Sequence, residues 1–348
     1  MPHETPQTFE TISPQSNEII VSCEVLDLSG LEPWFVNQQI EHVLPFAKKI
    51  VVFPDLGPTE KGVVPTGSIT EINYIEHPNW PELVKGADIG CGMAMAEINI
   101  NKNDFLNHQD MLDQLYSAIK SDPEVSLGGG NHFIDFVSDK DGKVYVVIHT
   151  GAYRDRQKGL SRIITQKPSD EDWSITTNKY LEEYTNVIVS ANENRLAILK
   201  HFQNIYGTGQ IHFHEPHNTI AIDDKTQTVT IYKGVVHVTD TNKRLLLPST
   251  MNSRMDFYKP GKKIGPETNW GAPHGTGRNK SRSQMKNLKT IPLDIMTVSG
   301  TTPPQTEMPE AYRTITQAET TMLNNDLMIY DEEDDIIELQ PIAYIGHI

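Results

Sequence analysis

A chain of 348 residues with 37% apolar side chains can fill one large core or two medium ones, and no apolar run in it approaches the roughly 18 residues of a membrane span. A net charge of −16 excludes general attraction to nucleic acid through the average field, so any polyanion would have to use the local basic clusters 153-YRDRQKGLSR-162 and 278-RNKSRSQMKNLK-289. Two cysteines, Cys23 and Cys91, are too few for a disulfide framework, and the polar N-terminus does not read as a signal peptide; both point to the cytoplasm.

The first 20 residues are polar and read as poorly ordered. The run 48-KKIVVFPDLG-57 predicts a buried strand ending in a turn. Leu106, Met111, Leu112, Leu115 and Ile119 recur at helical spacing and predict a helix over 105–121. A glycine turn then feeds a strand in 127-LGGGNHFIDFV-137, and 143-KVYVVIHTGAYR-154 predicts a second strand running into a turn. The longest helical pattern covers 178–202, and 226-TQTVTIYKGVVHV-238 alternates like a hairpin strand. Segments 248–253 and 270–283 are rich in turn residues, and 306–323 reads as helical. Strands and helices do not alternate regularly, so the expected class is α+β, in a single large domain.

Four places carry candidate chemistry. In 86-GADIGCGMAM-95, Asp88 and Cys91 sit three apart among glycines. The plainer reading is a helix cap and a buried thiol; the chemical reading is a carboxylate and a thiolate sharing a divalent ion. His132, after three glycines and Asn131, is either a satisfied strand histidine or a neutral imidazole ligand beside exposed turn amides. His149 ends an apolar strand, where a histidine is either a buried hydrogen-bonding group or a ligand. One sulfur, two nitrogens and one oxygen suit Zn, Mn, Fe or Co. In 271-GAPHGTGR-278, His274 would be a nucleophile or general base, with Arg278 as a phosphate clamp; the plainer reading is a surface turn.

Taken in order, GADIGCGM (86–93), LGGGNHFID (127–135), VIHTGAYR (147–154), APHGTGRNKSR (272–282) and EMPEAYRTI (307–315) resemble the RtcB family of RNA ligases. Weaker echoes are 51-VVFPDLGPTEKG-62, Asn194-Arg195, His217-Asn218 and 245-LLLPSTM-251, so the resemblance spans about residues 50–348. It implies an RtcB-like α+β domain built around a polar metal and nucleotide cleft. It also implies a ligase that joins a 2′,3′-cyclic phosphate or 3′-phosphate RNA end to a 5′-hydroxyl end, in tRNA splicing or RNA repair. The implied cofactors are GTP and one or two Mn²⁺ ions, with a histidine–GMP intermediate.

Carried across, His274 is the guanylylated nucleophile and Cys91 bridges two metals. Asp88 and His132 complete one metal site, and His149 binds the other. The implied nucleotide pocket consists of Asn131, His132, Phe133, Ile134, Asp135, Pro248, Ser249, Thr250, Met251, His274, Gly275, Thr276 and Gly277, with Arg278 and Arg282 on RNA phosphate. Implied partners are RNA ends and an archease-type activator, with a monomer as the default.

The resemblance is incomplete. Ile231 stands where the family supplies a further metal histidine, with His212, His214, His217 and His237 as candidates to replace it. Gly57 replaces a histidine, 248-PSTM-251 lacks a glycine, and the chain ends in Gly346-His347-Ile348 rather than Lys-Gly. The alternatives are a divergent paralogue acting as a metal-dependent phosphodiesterase or phosphatase on RNA ends, and a non-catalytic RNA-end binding protein.

Overall fold

The β-branched and aromatic runs become strands, and the 3.6-residue patterns become helices. In chain order they are β1 (Ile20–Val21), α1 (Pro33–Ile40), β2 (Ala47–Gly57), β3 (Thr66–Asn73), α2 (Pro81–Val84), β4 (Gly92–Asn101), α3 (Lys102–Leu106) and α4 (Gln109–Ser121). Next come β5 (Phe133–Ser138), β6 (Lys143–Thr150), α5 (Arg154–Thr165), α6 (Trp173–Tyr206), β7 (Thr208–Pro216), β8 (Asn218–Asp223) and β9 (Thr228–Lys233). The chain continues with β10 (Val235–His237), β11 (Leu245–Leu247), β12 (Met255–Tyr258), β13 (Gly271–Pro273), α7 (Arg282–Met285), β14 (Met296–Thr297), α8 (Ile315–Asn324) and β15 (Ile336–Ile345). This computed structural model describes residues 20–21, 33–57, 63–86, 88–286, 288 and 293–346. The first 19 residues, Cys23, 58–62, Lys289 and the terminal His347-Ile348 lie outside the described residues.

One sheet has the order β1-β2-β3-β9-β8, and a larger one runs β11-β12-β15-β5-β6-β4-β7, with β14 on β15. All of these pairings are antiparallel except β1–β2 and β14–β15, which fits the expected α+β class. Strand alternation sorts the side chains into layers. Val51, Phe53 and Ile69 of the smaller sheet share a core with Met93, Met95, Val137 and Val147 of the larger one. The larger sheet's other face, with Ala94, Ile134, Phe136 and Ile148, packs under Leu112 and Leu115 of α4 and Ile198 and Phe202 of α6. The smaller sheet's outer face, with Ile50, Val52 and Ile231, packs under α1, α5 and the first half of α6. Two sheets therefore face each other, with helices outside. Being buried on both faces is why β6 reads as an apolar run from Val144 to Ile148.

Several predicted boundaries shift. The helix expected over 105–121 breaks at Asn107-His108 into α3, capped by the Asn101 side chain, and α4; Leu106 ends up exposed. The long helix extends to Trp173–Tyr206, started by the Asp172 carboxylate. The hairpin strand at 226–238 divides at Gly234, which has φ +63°; a Cβ there would lie 2.9 Å from the His274 ring. Of the helix expected over 306–323, only α8 forms. Pro309 and the turns at 305–307 and 309–311 hold the earlier part, and the Thr314–Gln317 capping box starts the helix.

Candidate functional site

Four neighbouring strands of the larger sheet end at the same rim. Gly92 of β4 pairs with Thr150 of β6 and Pro216 of β7, and Phe133 of β5 pairs with His149 of β6. Cys91, His132, His149 and His217 sit at those ends, so the strand register gathers residues far apart in sequence. Gly92 is required there: a Cβ would lie 2.5 Å from the Glu215 carbonyl.

Cys91 Sγ lies 3.3 Å from His132 Nε2 and 3.2 Å from His149 Nε2, and these three ligand atoms are all within 4.8 Å of one another. His149 Nε2 is also 3.3 Å from His217 Nε2. His132 Nδ1 donates to the Leu127 carbonyl and His149 Nδ1 to the Asn131 carbonyl, both at 2.9 Å. A carbonyl can only accept, so each Nδ1 holds the proton and each Nε2 presents a lone pair. The thiol has one proton for two lone pairs, and the surplus is what a cation would satisfy. Burial, with Asp88 adding, pushes the Cys91 thiol up to about 12, so a thiolate here requires a positive partner. Burial, with His132 and His274 nearby, holds the His149 imidazole well below the usual histidine range; His217 is lowered in the same way, next to His274 and His149. The buried Cys91–His132–His149 group could thus hold a metal ion.

The cluster is braced from α6. Arg195, fully buried, donates from Nη1 to the Gly90 and Thr150 carbonyls at 2.8 Å. Asn194 exchanges hydrogen bonds with the Ser126 backbone and donates to the Gly151 carbonyl. One helical turn therefore ties together the three loops that carry the cluster.

His274 follows β13, and its ring packs 4.7 Å from that of His217. Its Nδ1 is 2.6 Å from Oδ2 of Asp55, a 2%-exposed carboxylate at the end of β2. The Arg313 guanidinium grips the carbonyls on either side, Pro54 and Leu56. Asp55 must accept, so Nδ1 carries the proton and Nε2 the lone pair.

These groups line a cavity of about 590 Å³. Of the expected pocket residues, Asn131, His132, Phe133, Asp135, Pro248, Ser249, Thr250, Met251, His274, Gly275, Thr276, Gly277, Arg278 and Arg282 all line it. Ile134 does not: its side chain alternates away from Phe133 and Asp135 into the core beneath α4 and α6. Asp88 lines the cavity but stands outside the group of three. It sits on a turn at φ +55°, its carboxylate is 3.8 Å from Lys233 Nζ, and its backbone oxygen accepts from Cys91 and Asn218. Ile231 sits two residues short of the rim in the outer apolar cluster, and His217 supplies the further imidazole beside His149. Gly57 lines the cavity.

Arg278 is already committed. It donates to Glu307 at 2.8 Å, to Tyr312 at 3.0 Å and to the Thr306 and Lys280 carbonyls, and Arg282 donates to the other Glu307 oxygen at 3.0 Å. The Tyr312 hydroxyl also donates to Glu307. Asp135 and Tyr344 face each other across β5 and β15 at the cavity wall, and burial raises the Asp135 carboxyl well above the carboxylate range.

Sequence reasoning did not single out Asp55, Glu307 or Tyr344, and left His217 as one of four options. Asp55 had a signal, a charged residue within the buried, otherwise apolar stretch 50–57.

The fold and site thus define a mixed α and β protein with antiparallel sheets and a thiol–imidazole group at the strand ends. No family profile matches the chain, and no curated protein matches it.

Proposed function

We propose that this chain is an RNA ligase of the RtcB type, joining a 2′,3′-cyclic phosphate or 3′-phosphate RNA end to a 5′-hydroxyl end with GTP and Mn²⁺. The observation that carries the reading is the Asp55–His274 pair, with the imidazole packed against His217 at the edge of the Cys91 cluster. An imidazole whose Nδ1 proton is held by a buried carboxylate offers its Nε2 lone pair as a nucleophile. His274 Nε2 attacks the α-phosphorus of GTP and pyrophosphate leaves. Asp55 stabilises the charge that develops on the ring. A cyclic end is first opened by water, which adds to phosphorus as the P–O2′ bond breaks and leaves a 2′-hydroxyl; the RNA 3′-phosphate then attacks the phosphorus on His274, and the imidazole leaves with its electron pair. Finally the 5′-hydroxyl attacks the activated 3′-phosphate and GMP departs. A divalent ion on Cys91, His132 and His149 would neutralise charge building on the phosphate oxygens. The cavity volume lies within the range of nucleotide-sized sites.

The phosphodiesterase reading draws its support from the missing imidazole at Ile231; His217 Nε2, 3.3 Å from His149 Nε2, supports the ligase reading instead. Incubation with GTP radiolabelled at the α-phosphate and Mn²⁺ tests the proposal. The expected result is an acid-labile protein–GMP adduct that His274→Ala abolishes. An adduct that survives His274→Ala, or none in the unmodified protein, contradicts it.

A further inference from the structure

A cavity of about 590 Å³ has room for a nucleotide and a chain end, and none for the strand behind it. The strand must leave over the rim, and a joining reaction brings two strands to one cavity. Two separate stretches of rim are basic. One is Arg278 and Arg282, held by Glu307. The other is α5, whose first residue, Arg154, lines the cavity together with Gln157.

α5 is amphipathic. Leu160 and Ile164 are buried against the core, while Arg154, Lys158 and Arg162 are exposed. Spacing of i, i+4, i+8 puts these three on one face over about 12 Å, at 1.5 Å per residue. Four cations (Arg154, Arg156, Lys158, Arg162) against one acid (Asp155) give this helix +3 in a chain of −16. Arg156 faces Glu183 at 3.9 Å and Lys158 faces Asp155 at 3.4 Å, exposed contacts that a phosphate can outcompete. Arg154 and Arg162 have no ion pair among the described residues.

We propose that the Arg154–Lys158–Arg162 face of α5 is a docking track for the sugar–phosphate backbone of one single RNA strand whose end lies in the cavity, while the other strand leaves over a different stretch of the rim. The track rests on the ligase reading, which supplies the need for two strands. Its occupant is a single strand, because an end must enter the cavity while the next phosphates follow the helix. The contacts are to phosphate, so the track reads no sequence.

Fluorescence anisotropy with two RNA dodecamers, one ending in a 3′-phosphate and one beginning with a 5′-hydroxyl, tests this against Lys158→Glu/Arg162→Glu and, separately, Lys158→Ala/Arg162→Ala. One dodecamer is expected to bind the charge-reversed protein at least tenfold more weakly, with a salt slope shallower by about 1–2. The alanine variant should show a smaller change of the same kind. A trimer with the same end, too short to reach Arg162, loses less affinity than the dodecamer. An unchanged affinity for both dodecamers overturns the track, as does an equal loss for both. The assay needs no GTP, so an unmodified protein that binds this way yet forms no His274–GMP adduct retires the ligase reading and leaves the track standing.

Discussion

The Cys91 cluster and the Glu307 rim flank the same cavity with opposite hydrogen-bond economies. Around Cys91, two imidazoles turn lone pairs toward a single thiol proton, so the group holds more acceptors than donors. Around Glu307, a carboxylate with 4% exposure is matched by Arg278, Arg282 and Tyr312, and Arg278 also serves two backbone carbonyls. A group left short of protons takes a cation; a group with every partner in place keeps a shape. The first region therefore reads as the place of chemistry and the second as the frame that orients it.

The largest expected effect is at the unsatisfied group. Cys91→Ala should lower Mn²⁺ affinity by more than about 100-fold in a calorimetric titration; an unchanged affinity would erase the contrast between the regions. Next, Asp55→Asn should retain metal binding but slow adduct formation by about 10²–10⁴-fold, because an amide NH2 can donate to His274 Nδ1 and no longer fixes the tautomer, and its neutral group cannot offset charge on the ring. Equal rates would show that the carboxylate is only structural.

At the frame, Glu307→Ala leaves two partly buried arginines facing each other and should cost about 3 kcal/mol in urea denaturation. A change below about 1 kcal/mol would show that the rim is not a frame.

Metal affinity should also depend on pH. The Cys91 thiol, held at about 12, must lose its proton to bind, while His149 is held well below the usual range and is already neutral. The sulfur's proton by itself gives a tenfold rise in affinity per pH unit between about pH 6 and 8. A flat profile would mean that the sulfur is not a ligand.

The smallest effect is at Asp256, which is fully buried with one oxygen on Arg254 and the other unpartnered. Burial raises its carboxyl to about 6, so its stabilising contribution is complete below about 3.8 and is lost as pH rises through about 6. Asp256→Asn should flatten that loss, by on the order of 1 kcal/mol, in denaturation curves at either end of the window.

Much of this was legible in the residues themselves. Cys91, His132, His149 and His274 stood out because each closes an apolar strand or sits in a glycine turn, and the strand register does bring Cys91, His132 and His149 together. Asp88 was grouped with them by proximity in sequence, but its turn points the carboxylate toward Lys233. Ile134 was carried into the pocket by its neighbours, whereas period-two alternation sends it to the opposite face. His217 could not be chosen from four histidines until the pairing of Gly92 with Pro216 placed the end of β7 beside β4. Asp55 and Glu307 act through partners 219 residues away (His274) and 29 residues away (Arg278), distances over which no local pattern carries information.

The central claim is that Cys91, His132 and His149 converge on one cation. Crystals soaked in Mn²⁺ and measured at the manganese absorption edge test it most directly. The account predicts an anomalous peak within bonding distance of Cys91 Sγ, His132 Nε2 and His149 Nε2. Well-ordered side chains at these positions with no peak between them, or a peak only at surface carboxylates, would contradict it.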